Sequence, residues 1–496
     1  MKAAAESFLL ARVVAAAHAV GGARKTKTMN RKKLIELGIP PDSVPIAISC
    51  VQLAASEKEE AGKPKQVLPQ IVSAPESFLD HGIWSPLARS ILSERENLRQ
   101  IREPIGYRSW GHDLDEGAHQ QMRAACRLPV SAAAALMPDA HIGYGLPIGG
   151  VLACENAVVP YGVGVDIACR MKLTITDLPV DPLVRNDPKE CLPLDRAIEK
   201  GTIFGAGGAW KNPPEHDVMD EDWSVCSVTR QMRDRAWKQL GTSGSGNHFV
   251  EWGILTLPEP LEGVSPGSYV ALLSHSGSRG TGAQICQRYT QIARQRAPHA
   301  IRDDPQLCHL AWLEMSTAEG EEYWAAMNLM GCYAHANHEV IHRNVTRLAG
   351  AQSLGTIENH HNFAWLEEHG GRQLYVHRKG ATPAGPGVLG IIPGTMADPC
   401  FVVRGKGNAE SLNSAAHGAG RAMSRTAAKK QFRWGPWRDY LKHRGVRLLA
   451  AGLDEVPGVY KDIHEVMAAQ HDLVEIVGQF LPRIVMMCGD DSRAED

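Results

Sequence analysis

From about residue 105 onward the chain is a succession of short apolar runs, each cut by glycine before it can extend into a long buried helix; 48 glycines stand in 496 residues. Such punctuation favours strands joined by tight turns. "MKLTITDL" from Met171, "HFVEWGIL" from His248, "SYVALLSHSG" from Ser268 and "CFVVRG" from Cys400 are rich in β-branched or aromatic residues and end in polar or glycine positions, as strands do. Helical patterns sit between them. Residues 321–348 run without proline, and 461–477 place Ile463, Val466, Met467, Leu473, Val474 and Val477 on one broad helical face. The expected body is mixed α/β or α+β.

Charge and cysteine usage narrow the function classes. With 53 basic residues against 55 acidic, net charge −2, no global field draws the chain to nucleic acid or membrane, so any polyanion site must be a local pocket. The 11 cysteines contain no C-x-x-C pair, which excludes zinc-ribbon and thioredoxin-type motifs and points to reduced thiols in a cytoplasmic protein. No apolar stretch reaches the ~18 residues of a membrane span; the nearest, 473–489, carries Glu475, Gln479 and Arg483. Residues 1–28 are alanine-rich and basic with a single acid, Glu6, a composition shared by organelle-import segments, by loose tails and by a start assigned upstream of Met29. The charged, proline-bearing stretch 56–75 is expected to be a surface loop or linker. The resulting division is an N-terminal appendage over 1–104, a main body over 105–489 and a tail over 490–496.

Four histidine motifs lie beside glycine or at strand ends: "GTSGSGNHFVEW" (His248), "SHSGSRG" (His275), "ENHHNF" (His360, His361) and "AAHGAGRAMSR" (His417). Glycine lets backbone amides approach a ligand, and successive amides in such turns bind anions. "GVGVDIACRMKL" adds an oxygen donor at Asp166 and a sulfur at Cys169. Asp, Cys and several His form a ligand inventory for one or two divalent metals, with zinc first on thiolate chemistry alone. The plainer alternative is a core cysteine beside a turn-capping aspartate. Arg421, Arg425, Lys429 and Lys430 recur at helical spacing after His417. A helix starting near Ala419 would aim its amides at an anion beside His417, and its arginines would grip phosphate or form a solvated basic face. "HRKG" at 377–380 and "IIPGTM" at 391–396 read as a further basic turn and glycine turn.

Taken in order, "MPDAHIGYGLPIGG", "GVGVDIAC", "GAWKNPP", "GNHFVE", "HSGSRG", "HHN", "HRKGA", "IIPGTM", "HGAGRAMSRTAAKK" and "VYKDIHEVMAAQ" resemble the RtcB family of RNA-splicing and RNA-repair ligases over 105–489. The resemblance implies an RtcB-like fold, a central β-sheet core with surrounding helices. It implies a GTP-dependent enzyme joining RNA 3′-phosphate or 2′,3′-cyclic phosphate ends to 5′-hydroxyl ends, with two Mn²⁺ rather than Zn²⁺. Asp166, Cys169, His248, His275 and His361 would hold the metals, Cys169 between them, and His417 would be the nucleophile that takes GMP. Asn247, His248, Phe249, Val250 and Glu251, His361 and Asn362, Pro393, Gly394, Thr395 and Met396, Cys400, and His417, Gly418, Ala419 and Gly420 resemble nucleotide-binding segments, with Tyr460 beside the base and Glu251 accepting from guanine N1 and N2.

The chain also departs from that pattern. No lysine follows Lys461, so the family's penultimate guanine-contacting lysine has no counterpart, and Cys488 falls near its place. Cys400 stands where serine is common, Thr395 replaces the serine of "PGSM", and Arg170 follows Cys169 where glycine is usual. Two other readings go with these departures: a metal-dependent RNA-end phosphoesterase that no longer joins ends, and a non-catalytic RNA-binding module on the same fold.

Overall fold

The computed structural model describes residues 30–40, 43–56, 63–99 and 101–489. The stretches 1–28 and 490–496 fall outside the described residues. Two compact units emerge, one from the N-terminal 102 residues together with Ala297–Asp304, the other from Glu103–Arg296 and Pro305–Asp496.

The smaller unit is helical. Arg31–Glu36 starts at Asn30, whose side chain accepts from the Lys33 amide, and is followed by Val44–Ser56, Pro64–Ser73 and Ser85–Arg99. Leu34, Ile39, Cys50, Leu68, Ile71, Trp84, Leu87 and Ile91 form its core. The linker expected at 56–75 is therefore corrected over its second half. Pro64 occupies the first turn, where a missing N–H costs nothing, and burial of Leu68 and Ile71 outweighs the polar composition.

In the larger unit the expected strands form Arg170–Thr176, Phe249–Leu257, Gly267–Ser276 and Cys400–Gly405. An eight-stranded sheet takes the order Leu389–Ile392, Cys400–Gly405, Val474–Met487, Phe249–Leu257, Gly267–Ser276, Arg170–Thr176 and Ser353–His360, with Arg447–Ala450 added parallel to Val474–Met487. Its two ends meet. Asn359 Oδ1 accepts from the Ile391 amide at 2.9 Å and its Nδ2 donates to the Ile391 carbonyl at 3.3 Å, so one carboxamide performs the pairing that would otherwise close the sheet into a barrel. A second sheet runs Arg108–Ser109, Ser131–His141, Ile148–Cys154, Arg372–Lys379, Phe363–His369. The chain crosses between the sheets at His361–Asn362, and Ala381–Pro383 pairs with Ser414–Ala416 to bring His417 beside Gly380.

The proline-free pattern at 321–348 becomes the helix Ala318–Ala349, capped by Thr317 and ended by Gly350 in the left-handed region at φ 69°. Its buried His338 and His342 bond Ser274 at 2.6 and 2.8 Å, and His342 also bonds Thr174 at 2.7 Å. These histidines fasten the helix to the sheet.

Two helical expectations and one turn are corrected. Residues 461–477 split into the helix Ile463–Ala469 and the start of strand Val474–Met487. Gln470 breaks the helix by turning its Oε1 to the Ala416 amide at 2.9 Å. Ile463, Val466, Met467, Leu473 and Val474 still share one core, whereas Val477 packs in another. No helix starts near Ala419; Gly420 has φ 74° and lies against the Asp139 backbone, and the helix Arg425–Gln431 begins only after its Ser424 cap. "HRKG" is the end of a strand in which His377 and Arg378 are fully buried. No described helix is long and apolar enough to cross a membrane, and 474–487 is a strand.

Candidate active site and metal centre

Asp166 and Cys169 lie in a turn whose Ala168 is left-handed at φ 57°, and Asn362, at φ 56°, turns the chain just after His361. The two turns hold each other. The Ala168 amide donates to the Asn362 carbonyl, and the His361 amide to the Cys169 carbonyl, each at 2.9 Å. This backbone strain aims Cys169 and His361 at one point. His275 ends one central strand, and His248 immediately precedes another.

The side chains converge. Cys169 Sγ is 3.1 Å from His275 Nε2 and 3.4 Å from His248 Nε2. His248 Nε2 is 3.0 Å from Asp166 Oδ2, and His275 Nε2 is 3.2 Å from His361 Nε2. Two ligand triplets result, Asp166–Cys169–His248 and Cys169–His275–His361, sharing the sulfur. All five residues are buried.

Hydrogen bonds orient the donors. His248 Nδ1 meets the Ser243 carbonyl at 2.8 Å and His275 Nδ1 the Asn247 carbonyl at 3.2 Å, leaving each Nε2 lone pair for a cation. Burial, reinforced by neighbouring imidazoles, holds His275 and His361 neutral far below the ordinary histidine value. Burial opposes ionisation of Asp166, but the His248 hydrogen bond and charge, with help from Cys169 and Arg279, keep its carboxyl below the usual range. Neutral imidazoles and an ionised carboxylate are the forms that bind metal. Gly277 is required here, since a Cβ would strike both Asp166 carboxylate oxygens.

The cluster forms one wall of a cavity of about 620 Å³ that also exposes His417. The His417 ring lies 4.8 Å from that of His361, and its Nδ1 is 2.7 Å from Asp139 Oδ2, which also receives the His417 amide at 3.2 Å. Asp139 is fully buried and its other oxygen has no partner among the described residues. The contact engages His417 Nδ1 and leaves Nε2 as the ring nitrogen not bonded to Asp139.

Of the residues expected to bind nucleotide, Asn247, Phe249, Glu251, His361, Asn362, Pro393, Gly394, Thr395, Met396, Cys400, His417, Gly418, Ala419, Gly420 and Tyr460 line the cavity. Val250 does not, because strand alternation turns it into the core on the opposite face with Val270 and Leu272. His248 sits behind the wall as a cluster member, and His360 packs between Phe363 and Trp365, away from the cluster.

Burial drives the Glu251 carboxyl well above its usual value, against a weak Cys400 thiol contact at 3.9 Å. Thr395 Oγ1 donates to Asp398 Oδ2 at 2.6 Å, and Cys488 is absent from the lining while Met487 is in it. Arg421 and Arg425 are not free phosphate grips: Arg421 donates to the Asp454 carbonyl at 2.9 Å and pairs with Glu455, and Arg425 pairs with both acids. Lys429 faces Asp454 at 3.5 Å. Tyr460 bonds Glu455 and lies under the Arg421 guanidinium.

Two residues of the site had escaped the sequence reading. Asp139, buried behind His417 and outside the cavity lining, stands in "MPDAH", where an acid before a histidine was the only signal. Lys379 lines the cavity, buried, with Nζ donating to the Tyr161 carbonyl at 3.2 Å and to that of Tyr144, and burial lowers its pKa to about 8.

The family profile described as tRNA-splicing ligase RtcB matches residues 120–488. The chain is 34% identical over 407 residues to the RNA-splicing ligase RtcB of Escherichia coli K12, covering 77% of this chain and 97% of that protein. It is 32% identical over 428 residues to the tRNA-splicing ligase RtcB of Archaeoglobus fulgidus, covering 72% and 88%. A Mycobacterium tuberculosis RNA-splicing ligase RtcB is 32% identical over 416 residues, covering 70% and 94%. With a matched segment that contains Asp166, Cys169, His248, His275, His361 and His417, the chain belongs to the RtcB family.

Proposed function

We propose that this protein is a GTP-dependent RNA ligase that joins RNA 3′-phosphate or 2′,3′-cyclic phosphate ends to 5′-hydroxyl ends through a His417–GMP intermediate. The observation that carries the reading is the adjacency of the two sulfur-sharing ligand triplets to an aspartate-oriented His417 across one cavity. Eleven free thiols suit a cytoplasmic setting.

The donor set fits two divalent cations, with Asp166, Cys169 and His248 around one and Cys169, His275 and His361 around the other. We assign Mn²⁺, which when bound would supply Lewis acidity and neutralise phosphate charge.

The chain's own residues do the rest. His417 Nε2 attacks the α-phosphorus of GTP; a P–N bond forms as the bond to the bridging oxygen breaks and pyrophosphate leaves. Asp139 accepts the Nδ1 proton's hydrogen bond and stabilises the ring as its positive charge grows. An oxygen of the RNA 3′-phosphate then displaces His417, which recovers its neutral imidazole, and GMP is joined to the RNA end. The 5′-hydroxyl oxygen of the second strand attacks the activated 3′-phosphorus, GMP departs and the hydroxyl proton is lost. A cyclic end is first hydrolysed to the 3′-phosphate. Lys379 supplies a cation to the phosphates, and Asn247, whose buried Oδ1 has no partner among the described residues, offers an acceptor to the ligand.

Guanine selectivity is assigned to Glu251 at the cavity floor, accepting from the N1 and N2 donors that adenine cannot present in that arrangement. With Cys400 beside it and no cation paired to it among the described residues, selection over adenine should be weaker than a lysine-assisted site would give. The test is covalent labelling of the chain by α-labelled GTP or ATP, with Mn²⁺ or Zn²⁺. Labelling by GTP with Mn²⁺ that disappears in His417→Ala supports the proposal; no labelling of the wild type under any of these conditions rejects it.

A further inference from the structure

Residues 421–447 carry nine lysines and arginines against a single acid, Asp439, in a chain whose net charge is −2. Arg421, Arg425, Lys429, Arg444 and Arg447 are engaged by Glu455, Asp454, Asp398 or Asp195. Lys430, Arg433, Arg438 and Lys442 have no carboxylate partner among the described residues, and all four are exposed.

Two of these cations are organised. On the helix Trp434–His443, Trp434, Arg438 and Lys442 recur every fourth position and so form one stripe. The Arg438 guanidinium lies 5.9 Å from the centre of the Trp434 ring. The stripe borders a groove of about 550 Å³ completed by Arg447, by the half-exposed strand Arg447–Ala450, and by Asn186 and Pro188. Among the described residues no carboxylate lines this groove, and Asp195 is paired with Arg447 at 2.8 Å.

The groove and the reaction cavity are two faces of one apolar wall. Met396, Val485 and Met487 line the cavity, Leu441, Val446 and Ala451 line the groove, and all six belong to a single core cluster against which Phe249 and Trp434 pack. A strand of nucleic acid lying in the groove is thus one layer of side chains from the nucleotide site.

We infer that this groove is a docking site for single-stranded RNA on the far face of the wall that lines the reaction cavity, with Arg438 and Lys442 meeting successive phosphates and the Trp434–Arg438 pair presenting a flat cationic face to a base. The inference rests on the RNA-ligase reading and adds the surface by which the strand is held. Chemistry favours RNA over a peptide. The groove combines cations with an aromatic face, the pairing that tracks a single strand without reading its sequence. A peptide would instead use the open edge of Arg447–Ala450, which pairs only with Val474–Met487.

The test measures binding of a fluorescent single-stranded RNA bearing a 3′-phosphate to the full chain as a function of salt, for wild type and Arg438→Glu/Lys442→Glu. The double variant should bind roughly ten-fold or more weakly, and the slope of log affinity against log salt should fall by about 1.4, two phosphate contacts at about 0.7 each. Labelling of His417 by GTP should be unchanged, which also shows that the variant is folded. Arg438→Gln/Lys442→Gln should lie between the two. Unchanged RNA affinity and salt slope with intact labelling would overturn the docking site and turn attention to the peptide-type edge. Absence of labelling in the wild type would instead reject the ligase reading, while the binding comparison still decides the groove.

Discussion

Asp139 and His417 lie 278 positions apart in the chain, yet Asp139 Oδ2 accepts from both the Nδ1 and the backbone amide of His417. The carboxylate therefore fixes the ring's position and its tautomer together. Asp139→Asn retains the shape but offers an amide that can donate to Nδ1, which would move the ring proton to Nε2 and block attack. GTP labelling of the protein should slow on the order of 100-fold or more, the scale of lost acid–base assistance. Labelling at the wild-type rate would remove Asp139 from the mechanism.

Cys169 is the only atom source common to both ligand triplets. Cys169→Ala should strip metal from both positions, so that dialysed protein retains clearly less Mn²⁺ by elemental analysis. An unchanged metal load would return Cys169 to the role of an ordinary core residue.

Gly277→Ala tests the same centre without touching a ligand. The added methyl must displace the Asp166 carboxylate, so metal retention should fall while the far-UV spectrum stays that of the native protein. Full retention of metal would mean that Asp166 is not needed to hold it.

Lys379 gives a pH signature. Its ammonium, depressed by burial to about 8, is charged below that pH and neutral above it. Affinity for the 3′-phosphate end should weaken as pH rises through about 8, and Lys379→Met should bind weakly with no such inflection. The sign for folding is set by the same shift. Between about 8 and the ordinary lysine value of ~10.4 the unfolded chain holds more protons, so this group alone makes stability increase with pH across that window.

Next to the Asp166–Cys169–histidine cluster, Glu358 accepts from Arg170 at 3.0 Å and Lys172 at 3.1 Å. Burial works against its charge, but His335 and these two cations hold its carboxyl well below the normal range. Glu358→Gln would leave two buried cations uncompensated and should destabilise by about 3 kcal/mol in urea unfolding. In the wild type this contribution is complete above the unfolded carboxylate value of ~4.3 and is lost as pH falls below it toward the depressed value. A midpoint unmoved by the substitution would show that Arg170 and Lys172 are solvated in place.

Much of the architecture was readable in the strands, because β-branched alternation is a local signal; Arg170–Thr176 and Cys400–Gly405 begin within a residue of where composition puts them. The five candidate ligands that the structure brings together were named from their glycine-flanked motifs and from family resemblance. What escaped was non-local. The basic run after His417 reads as a phosphate grip or a solvated face until Asp454 and Glu455, some thirty positions on, are seen to hold it. Asp139 gave no signal of its role without its distant partner. Residues 461–477 kept a helical hydrophobic period even though a turn and a strand divide it, since Ile463, Val466, Met467, Leu473 and Val474 face one shared core.

The Asn359 carboxamide gives the reaction centre a common frame. It is two residues from His361, and its bond to Ile391 reaches the segment that leads into Pro393–Met396. The wall that would hold cations and the wall that would hold the nucleotide thus hang from opposite ends of one amide group. An isosteric change to aspartate at this position would repel the Ile391 carbonyl and loosen both walls together, so that metal retention and nucleotide affinity would decline as a single quantity.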